Sequence, residues 1–199
     1  MTKQLDPNEK SMVSNKKVIG FDMDGVLIDF SELKRDIAAL HGFPISLTET
    51  PSDIVRNIIP KIALDKIKEA LFMYGPRRHS LPLMKGAKDG LEYFKKMEIP
   101  IVLISRRKLP AVAEELLKRH ELWPTYFNEQ NSFFVKSREE KDIVAKSQGV
   151  THYVDDEPSV IDVLHSVKNR ILFDPLSAYS NDDSYTRCIS WDELKNILG

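Results

Sequence analysis

This chain has almost no cysteine, no long apolar run and no excess of either charge, and each absence removes a class of protein. Its single cysteine, Cys188, excludes an intramolecular disulfide and any multi-cysteine zinc site, and fits a reducing, cytoplasmic setting. Acidic and basic side chains nearly cancel, 30 Asp and Glu against 29 Lys and Arg, so the basic balance of a dedicated nucleic-acid binder is missing. No stretch is apolar for the length that crossing a bilayer requires. Met1 to Asn15 is polar, lacks the apolar segment of a secretory signal, and is expected to be a flexible leader. There is no internal repeat and no low-complexity tract. The 199 residues are enough to bury a full core, and they favour one domain with a modest insertion.

Against that background one segment stands out: Val18-Ile19-Gly20-Phe21-Asp22-Met23-Asp24-Gly25-Val26-Leu27-Ile28-Asp29. An apolar run with β-branched residues, closed by glycine, reads as a buried strand. Asp22 and Asp24 then fall where the strand gives way to a loop, the edge at which open α/β sheets hold ligands. Period-two alternation sends both side chains to one side. Two carboxylates so close repel each other unless a metal or a shared proton offsets the charge, so the pair asks for a divalent ion.

Beyond it, apolar runs alternate with amphipathic stretches. Phe30 to Leu40 has helical spacing, with Ser31 as its N-cap and Gly42 past its end. Thr50-Pro51-Ser52-Asp53 opens a second helix, and Ala63 to Met73 forms a third. Residues 30–80 are too long for an ordinary connection and read as a small helical cap inserted after the first strand. The alternation resumes with a helix over Gly86 to Met97, a strand over Ile99 to Ile104 and a helix from Pro110 to His120. It continues with strand Ser132 to Val135, helix Glu139 to Ser147, strand Thr151 to Val154 and helix Ser159 to Val167. Strands Arg170 to Phe173 and Cys188 to Ser190 and a closing helix from Trp191 to Leu198 complete it. The expected fold is α/β: a Rossmann-like, mainly parallel sheet with helices on both faces, built from 16–29 and 81–199, plus the cap.

Three later strand ends carry polar groups. Ile104 runs into Ser105-Arg106-Arg107, where the serine hydroxyl and adjoining N–H groups suit phosphoryl oxygens and the arginines add positive charge. A lysine at the start of the next helix, Lys141 or alternatively Lys136, is placed to bridge a nucleophile and a phosphate. Tyr153-Val154-Asp155-Asp156-Glu157-Pro158 ends a second buried strand in paired carboxylates. With Asp22 and Asp24 these make an oxygen-rich pocket suited to Mg²⁺. Arg77, Arg78 and His79 form a basic cluster at the end of the cap that could steer an anionic substrate. Phe72 and Tyr74 just before it either stack on a base or belong to the cap core.

In these motifs the chain resembles haloacid-dehalogenase (HAD) superfamily phosphohydrolases. The motifs are Phe21-Asp22-Met23-Asp24-Gly25, Leu103-Ile104-Ser105, Lys141 or Lys136, and Val154-Asp155-Asp156. Within that superfamily it is most similar to the 5'-nucleotidase and deoxyribonucleotidase family. That similarity rests on Glu140 to Lys146 leading into Tyr153 to Asp156, on Leu172-Phe173-Asp174-Pro175 with Tyr179 and Asn181, and on Ser190-Trp191-Asp192-Glu193-Leu194. The resemblance implies Asp22 as nucleophile, Asp24 as general acid and base, and Ser105 and Arg106 at the phosphate. It implies Asp22, Asp24 (through its backbone carbonyl), Asp155 and Asp156 around Mg²⁺, and Arg77 and Arg78 at the substrate. An acid two residues after the nucleophile argues against dehalogenation. The expected substrate is a small phosphorylated metabolite, a nucleoside monophosphate first. A sugar phosphate, a polynucleotide end, a phosphoryl mutase and a non-catalytic binding domain are the alternatives.

Overall fold

A computed structural model describes residues 16–74 and 81–199, with Met73 and Tyr74 described for their backbone alone. Six strands form one sheet: β1 Ile19–Phe21, β2 Ile101–Arg106, β3 Ser132–Val135, β4 His152–Asp155, β5 Asn169–Phe173 and β6 Thr186–Cys188. Every pairing is parallel and the order is β3-β2-β1-β4-β5-β6. A sheet of this kind needs cover on both faces, and its central strand β1, Ile-Gly-Phe, is correspondingly without polar side chains. All three residues of β1 are fully buried or nearly so, as the continuous apolar run requires. The strand order reverses between β1 and β4, which opens a crevice beyond their carboxyl ends. The acidic motifs sit at the ends of those two strands.

Gly20 serves this crossing. It pairs with Tyr153 across β1 and β4, and a Cβ on it would strike the Tyr153 ring. Relieved of that clash, Tyr153 reaches across β1 and donates its hydroxyl to the Ile104 carbonyl at 2.6 Å.

Between β1 and β2 lie α1 Ser31–Leu40, α2 Ser52–Ile58 and α3 Lys61–Glu69, the last continued by a π-helical turn over Ala70–Tyr74. Ser31 is the first helical residue of α1 and not its cap. Phe30 holds the N-cap position without a side-chain bond, and Asp29 just before it accepts at Oδ1 from the Ser31 N–H at 2.8 Å and the Ser31 hydroxyl at 2.5 Å. The insertion's apolar side, including Ile37, Val55, Leu64 and Ile67, joins the same buried cluster as Phe21 and Leu103.

The remaining helices are α4 Ala87–Lys96, α5 Pro110–Arg119, α6 Arg138–Ser147, α7 Pro158–Ile161 and α8 Trp191–Leu198. The helix expected over Ser159 to Val167 stops after one turn. Val163 and Leu164 then bond three residues back, to Val160 and Ile161, and this tightened path still buries Val160, Ile161, Leu164 and Val167. The last strand likewise ends at Cys188, before Ile189 and Ser190, because Ser190 is committed to capping α8, where it accepts from the Glu193 N–H.

Helix α8 fixes the turn that follows β1. Trp191 is fully buried, stacks on Phe21 with centroids 5.4 Å apart, and donates its indole N–H to the Val26 carbonyl at 2.9 Å. Gly90 of α4 leaves room for that indole, because a Cβ there would overlap the six-membered ring. Gly90→Ala is therefore expected to lower the unfolding free energy by about 1–3 kcal/mol despite alanine's better helix propensity. Urea denaturation of the two proteins measures it.

Candidate active site

Asp22 lies one residue beyond β1, with its N–H donating to the Val154 carbonyl at 3.0 Å, so its backbone is tied to β4. Asp155 is the last residue of β4 and is completely buried. Lys141 comes from the second turn of α6, whose N-terminus is capped by Ser137 accepting from the Glu140 N–H. Lys141 and Ala145, four apart, are the buried face of that helix against the sheet. The Lys141 ammonium donates to Asp22 Oδ1 at 2.9 Å and to Asp155 Oδ2 at 2.7 Å, joining the two strand ends. Burial opposes its charge, but the carboxylates of Asp155 and Asp22 outweigh it and hold the lysine's pKa well above the usual value. Lys136 is exposed instead, and its backbone N–H is occupied by Glu140 Oε2 at 2.8 Å. Of the two lysines in the sequence reading, Lys141 is the one at the acids.

Carboxylate oxygens of Asp22, Asp155 and Asp156 lie within 4.8 Å of one another. Lys141 pairs with Asp22 and Asp155, both buried, and leaves the half-buried Asp156 beside them without an ion pair of its own among the described residues. Burial lifts the Asp155 carboxyl to about 7 against the pull of Lys141, and burial together with Asp155, Glu157 and Asp22 pushes Asp156 well up. An all-oxygen donor set short of positive charge fits Mg²⁺, which takes few carboxylates and keeps waters and substrate oxygens. The Asp24 side chain is outside this cluster. Its Oδ1 accepts from Arg107 Nη2, and the role expected of it at the ion is that of its backbone carbonyl.

The turn after β1 holds this geometry. Leu27 and Ile28 both donate to the Met23 carbonyl at 2.9 Å, and Gly25 donates to the Ile28 carbonyl at 2.9 Å with φ at +77°. A Cβ on Gly25 would collide with the Asp156 carboxylate. Gly25→Ala is expected to cost about 1–2 kcal/mol of stability from the left-handed backbone alone. It should also weaken the response of the melting temperature to Mg²⁺ by displacing Asp156. Thermal unfolding with and without the ion reads both effects.

Ser105 is 1% exposed near the end of β2, and its hydroxyl has no hydrogen-bond partner among the described residues. An unsatisfied buried hydroxyl lining the same cavity as the Lys141 ammonium is an open position for a ligand oxygen. Arg106 lines the same cavity, and its nearest charged partner is Glu157 Oε1 at 3.6 Å. Burial raises the Asp24 carboxyl to about 6, with Arg107 opposing and Asp22 adding to the rise. Asp22, Asp24, Ser105, Lys141, Asp155 and Asp156 all face one cavity of about 1400 Å³ between the sheet edge and the insertion. That exceeds the ~300–1,000 Å³ usual for small-molecule sites.

Two features of the site were invisible in the sequence. Arg107, read there only as extra positive charge, is buried against the rings of Phe30 and Phe72, with its guanidinium carbon 5.4 and 4.9 Å from their centroids. Phe72 also packs on Phe30 at 5.6 Å, so its core role is filled and its face is occupied by Arg107. The second feature is an ionic joint between insertion and core. Asp53 of α2 accepts from the Ser159 N–H at 2.9 Å and the Ser159 hydroxyl at 2.6 Å, while Arg56 reaches Glu157 at 2.7 Å and Arg138 reaches it at 3.1 Å. Burial works against the Glu157 charge, but Arg56 and Arg106 prevail and hold its pKa at about 2. The partners that join insertion to core, Asp53 with Ser159 and Arg56 with Glu157, are about a hundred residues apart, and no local pattern announces them. Arg77, Arg78 and His79 lie outside the described residues, as does the Tyr74 side chain.

No protein-family model matches the chain, and no curated protein matches it. Among solved structures it is similar to a protein from Thermotoga maritima provisionally named a beta-phosphoglucomutase. The identity is 22% and the TM-score 0.59, over 92% of this chain and 98% of that one. It is also similar to a HAD hydrolase, family IA, variant 3, from Entamoeba histolytica, at 17% identity and TM-score 0.61, over 89% of this chain and 94% of that one. A HAD family hydrolase from Deinococcus radiodurans, solved with bound phosphate and sodium, matches at 15% identity and TM-score 0.59, over 92% and 95% of the two chains. The likeness is one of architecture: the six-stranded parallel sheet with its helices has the α/β fold of these HAD hydrolases.

Proposed function

We propose that the protein is a Mg²⁺-dependent phosphomonoester hydrolase acting through an aspartyl-phosphate. The observation that carries this reading is the Asp22–Lys141–Asp155 triplet at the sheet's switch point. Asp24 stands two residues on, held apart from that triplet by Arg107. Bound Mg²⁺ supplies charge neutralisation that lets an anionic nucleophile approach an anionic phosphate.

An oxygen of Asp22 attacks phosphorus as the bond to the leaving oxygen breaks, and Asp24 gives its proton to that oxygen. Lys141 and the Ser105 hydroxyl hold the transferring oxygens as charge spreads over them. In the second half Asp24 takes a proton from water, whose oxygen attacks the same phosphorus. The bond to Asp22 then breaks, inorganic phosphate leaves, and both aspartates return to their starting states.

The substrate is a small phosphorylated metabolite. Nucleoside monophosphates fit the volume of the cavity. A non-nucleotide ester such as a sugar phosphate has one specific observation in its favour: the Phe72 face that would stack on a base already carries Arg107. Phosphate release with Mg²⁺, across nucleoside monophosphates, sugar phosphates and p-nitrophenyl phosphate, tests the proposal. Release that stops on chelation is expected, and its absence from every ester would overturn the reading.

A further inference from the structure

Arg107 beside Asp24 carries donor groups that hydrolysis of an ester with an uncharged leaving group does not use. Arg107 is 7% exposed and lines the cavity, and among the described residues only its Nη2 has a side-chain hydrogen-bond partner, the Asp24 carboxylate. Its Nε and Nη1 are buried with no acceptor among those residues. Lys34 of α1 donates to two neutral groups, the Thr50 carbonyl at 2.8 Å and the Ser52 hydroxyl at 3.3 Å, and forms no ion pair among the described residues. It too lines the cavity, and its charge is felt by Asp156 and Glu157 as well as by Asp24.

The placement matters because the two ends of a bound ester are distinguishable. Lys141 and Ser105 face the phosphoryl end. Asp24 stands at the leaving oxygen in this reading, so a group in contact with Asp24, as Arg107 is, lies within reach of whatever that oxygen is attached to. A neutral leaving group would leave a dehydrated guanidinium with two idle donors beside two aromatic rings. A planar fork with free N–H groups in an apolar surround matches a carboxylate or phosphate, where pairing is strong because water is excluded.

We propose that Arg107, with Lys34 from the insertion, is a site for a second anionic group on the leaving portion of the substrate, a carboxylate or a second phosphate. This rests on the phosphomonoester reading above.

The test separates binding from turnover. Asp22→Asn protein with Mg²⁺ is titrated calorimetrically with 2-phosphoglycolate, ethylene glycol bisphosphate and ethyl phosphate, which differ in the second group. At least one of the first two should bind about tenfold tighter than ethyl phosphate, and which one does so identifies the anion. Adding Arg107→Met should remove the preference, Arg107→Lys should retain part of it, and Lys34→Met should reduce it. Equal binding of the three esters, no binding of any, or a preference that survives Arg107→Met in a protein with native circular dichroism would each overturn the proposal. If Arg107→Met does not fold, an undiminished preference in Lys34→Met overturns the paired site. Phosphate release by the unmodified protein from these three esters and from p-nitrophenyl phosphate reads the phosphatase activity separately. Turnover without an anion preference sinks this inference alone, and a preference without turnover sinks the phosphatase reading alone.

Discussion

Asp22→Asn is expected to lower phosphate release by roughly 10³-fold or more while leaving the protein as stable as before. The substitution keeps the shape of the side chain, and its carbonyl oxygen can still accept from Lys141, which now donates to Asp22 at 2.9 Å. What it removes is the charged oxygen that would attack phosphorus. Stability should not fall with activity, because Asp22 is one of three carboxylates crowded within 4.8 Å. Deleting one negative charge relieves repulsion among the others. Melting temperature in the absence of metal should hold or rise as turnover disappears. Rapid acid quenching offers a second reading: a phosphoryl adduct on the peptide containing Asp22 in the unmodified protein, and none in the variant. A variant that still turns over at a comparable rate would remove Asp22 from the nucleophile's role.

The sequence made this site legible because its parts are local. A strand that must be buried on both faces is a continuous apolar run, so its end is easy to place, and an acid found there has few structural uses. Asp22 and Asp155 were found that way, and both end neighbouring strands of the sheet. Choosing between Lys136 and Lys141 needed the helix face. Only Lys141 shares the buried face with Ala145, while Lys136 precedes the cap. Arg107 could not be read, because a strand-terminal arginine is ordinarily solvated. Its burial depends on Phe30 and Phe72, which belong to the insertion. The ionic joint was hidden for the same reason. Asp53 looks like a residue of the first helical turn until Ser159 is folded against it. Signals carried by one strand or one helix turn survive in sequence, whereas those made by tertiary approach do not.

Lys141→Met tests the electrostatic core of the site and should have the second-largest effect. Methionine preserves most of the side chain's volume, which is 3% exposed, and removes both ion pairs at once. Breaking a buried pair from one side leaves uncompensated charge and typically costs about 3–5 kcal/mol. Here two acids lose one shared cation, so the metal-free variant should melt well below the unmodified protein. Proton uptake would soften the loss, since the buried Asp155 carboxyl is already raised to about 7 with the lysine in place. A divalent cation should soften it further. With the ammonium gone, Asp22, Asp155 and Asp156 present their charge to the ion alone, and ligand binding to the folded state adds stability in proportion to its affinity. The rise in melting temperature on adding Mg²⁺ is therefore expected to be larger in Lys141→Met than in the unmodified protein, even though turnover stays low. That opposition distinguishes an electrostatic role from simple packing. If Lys141 only filled space, methionine would leave the metal-free melting point and the Mg²⁺ response unchanged. If it balances the acids and then holds the transferring phosphoryl oxygens, stability is recovered by the ion and catalysis is not.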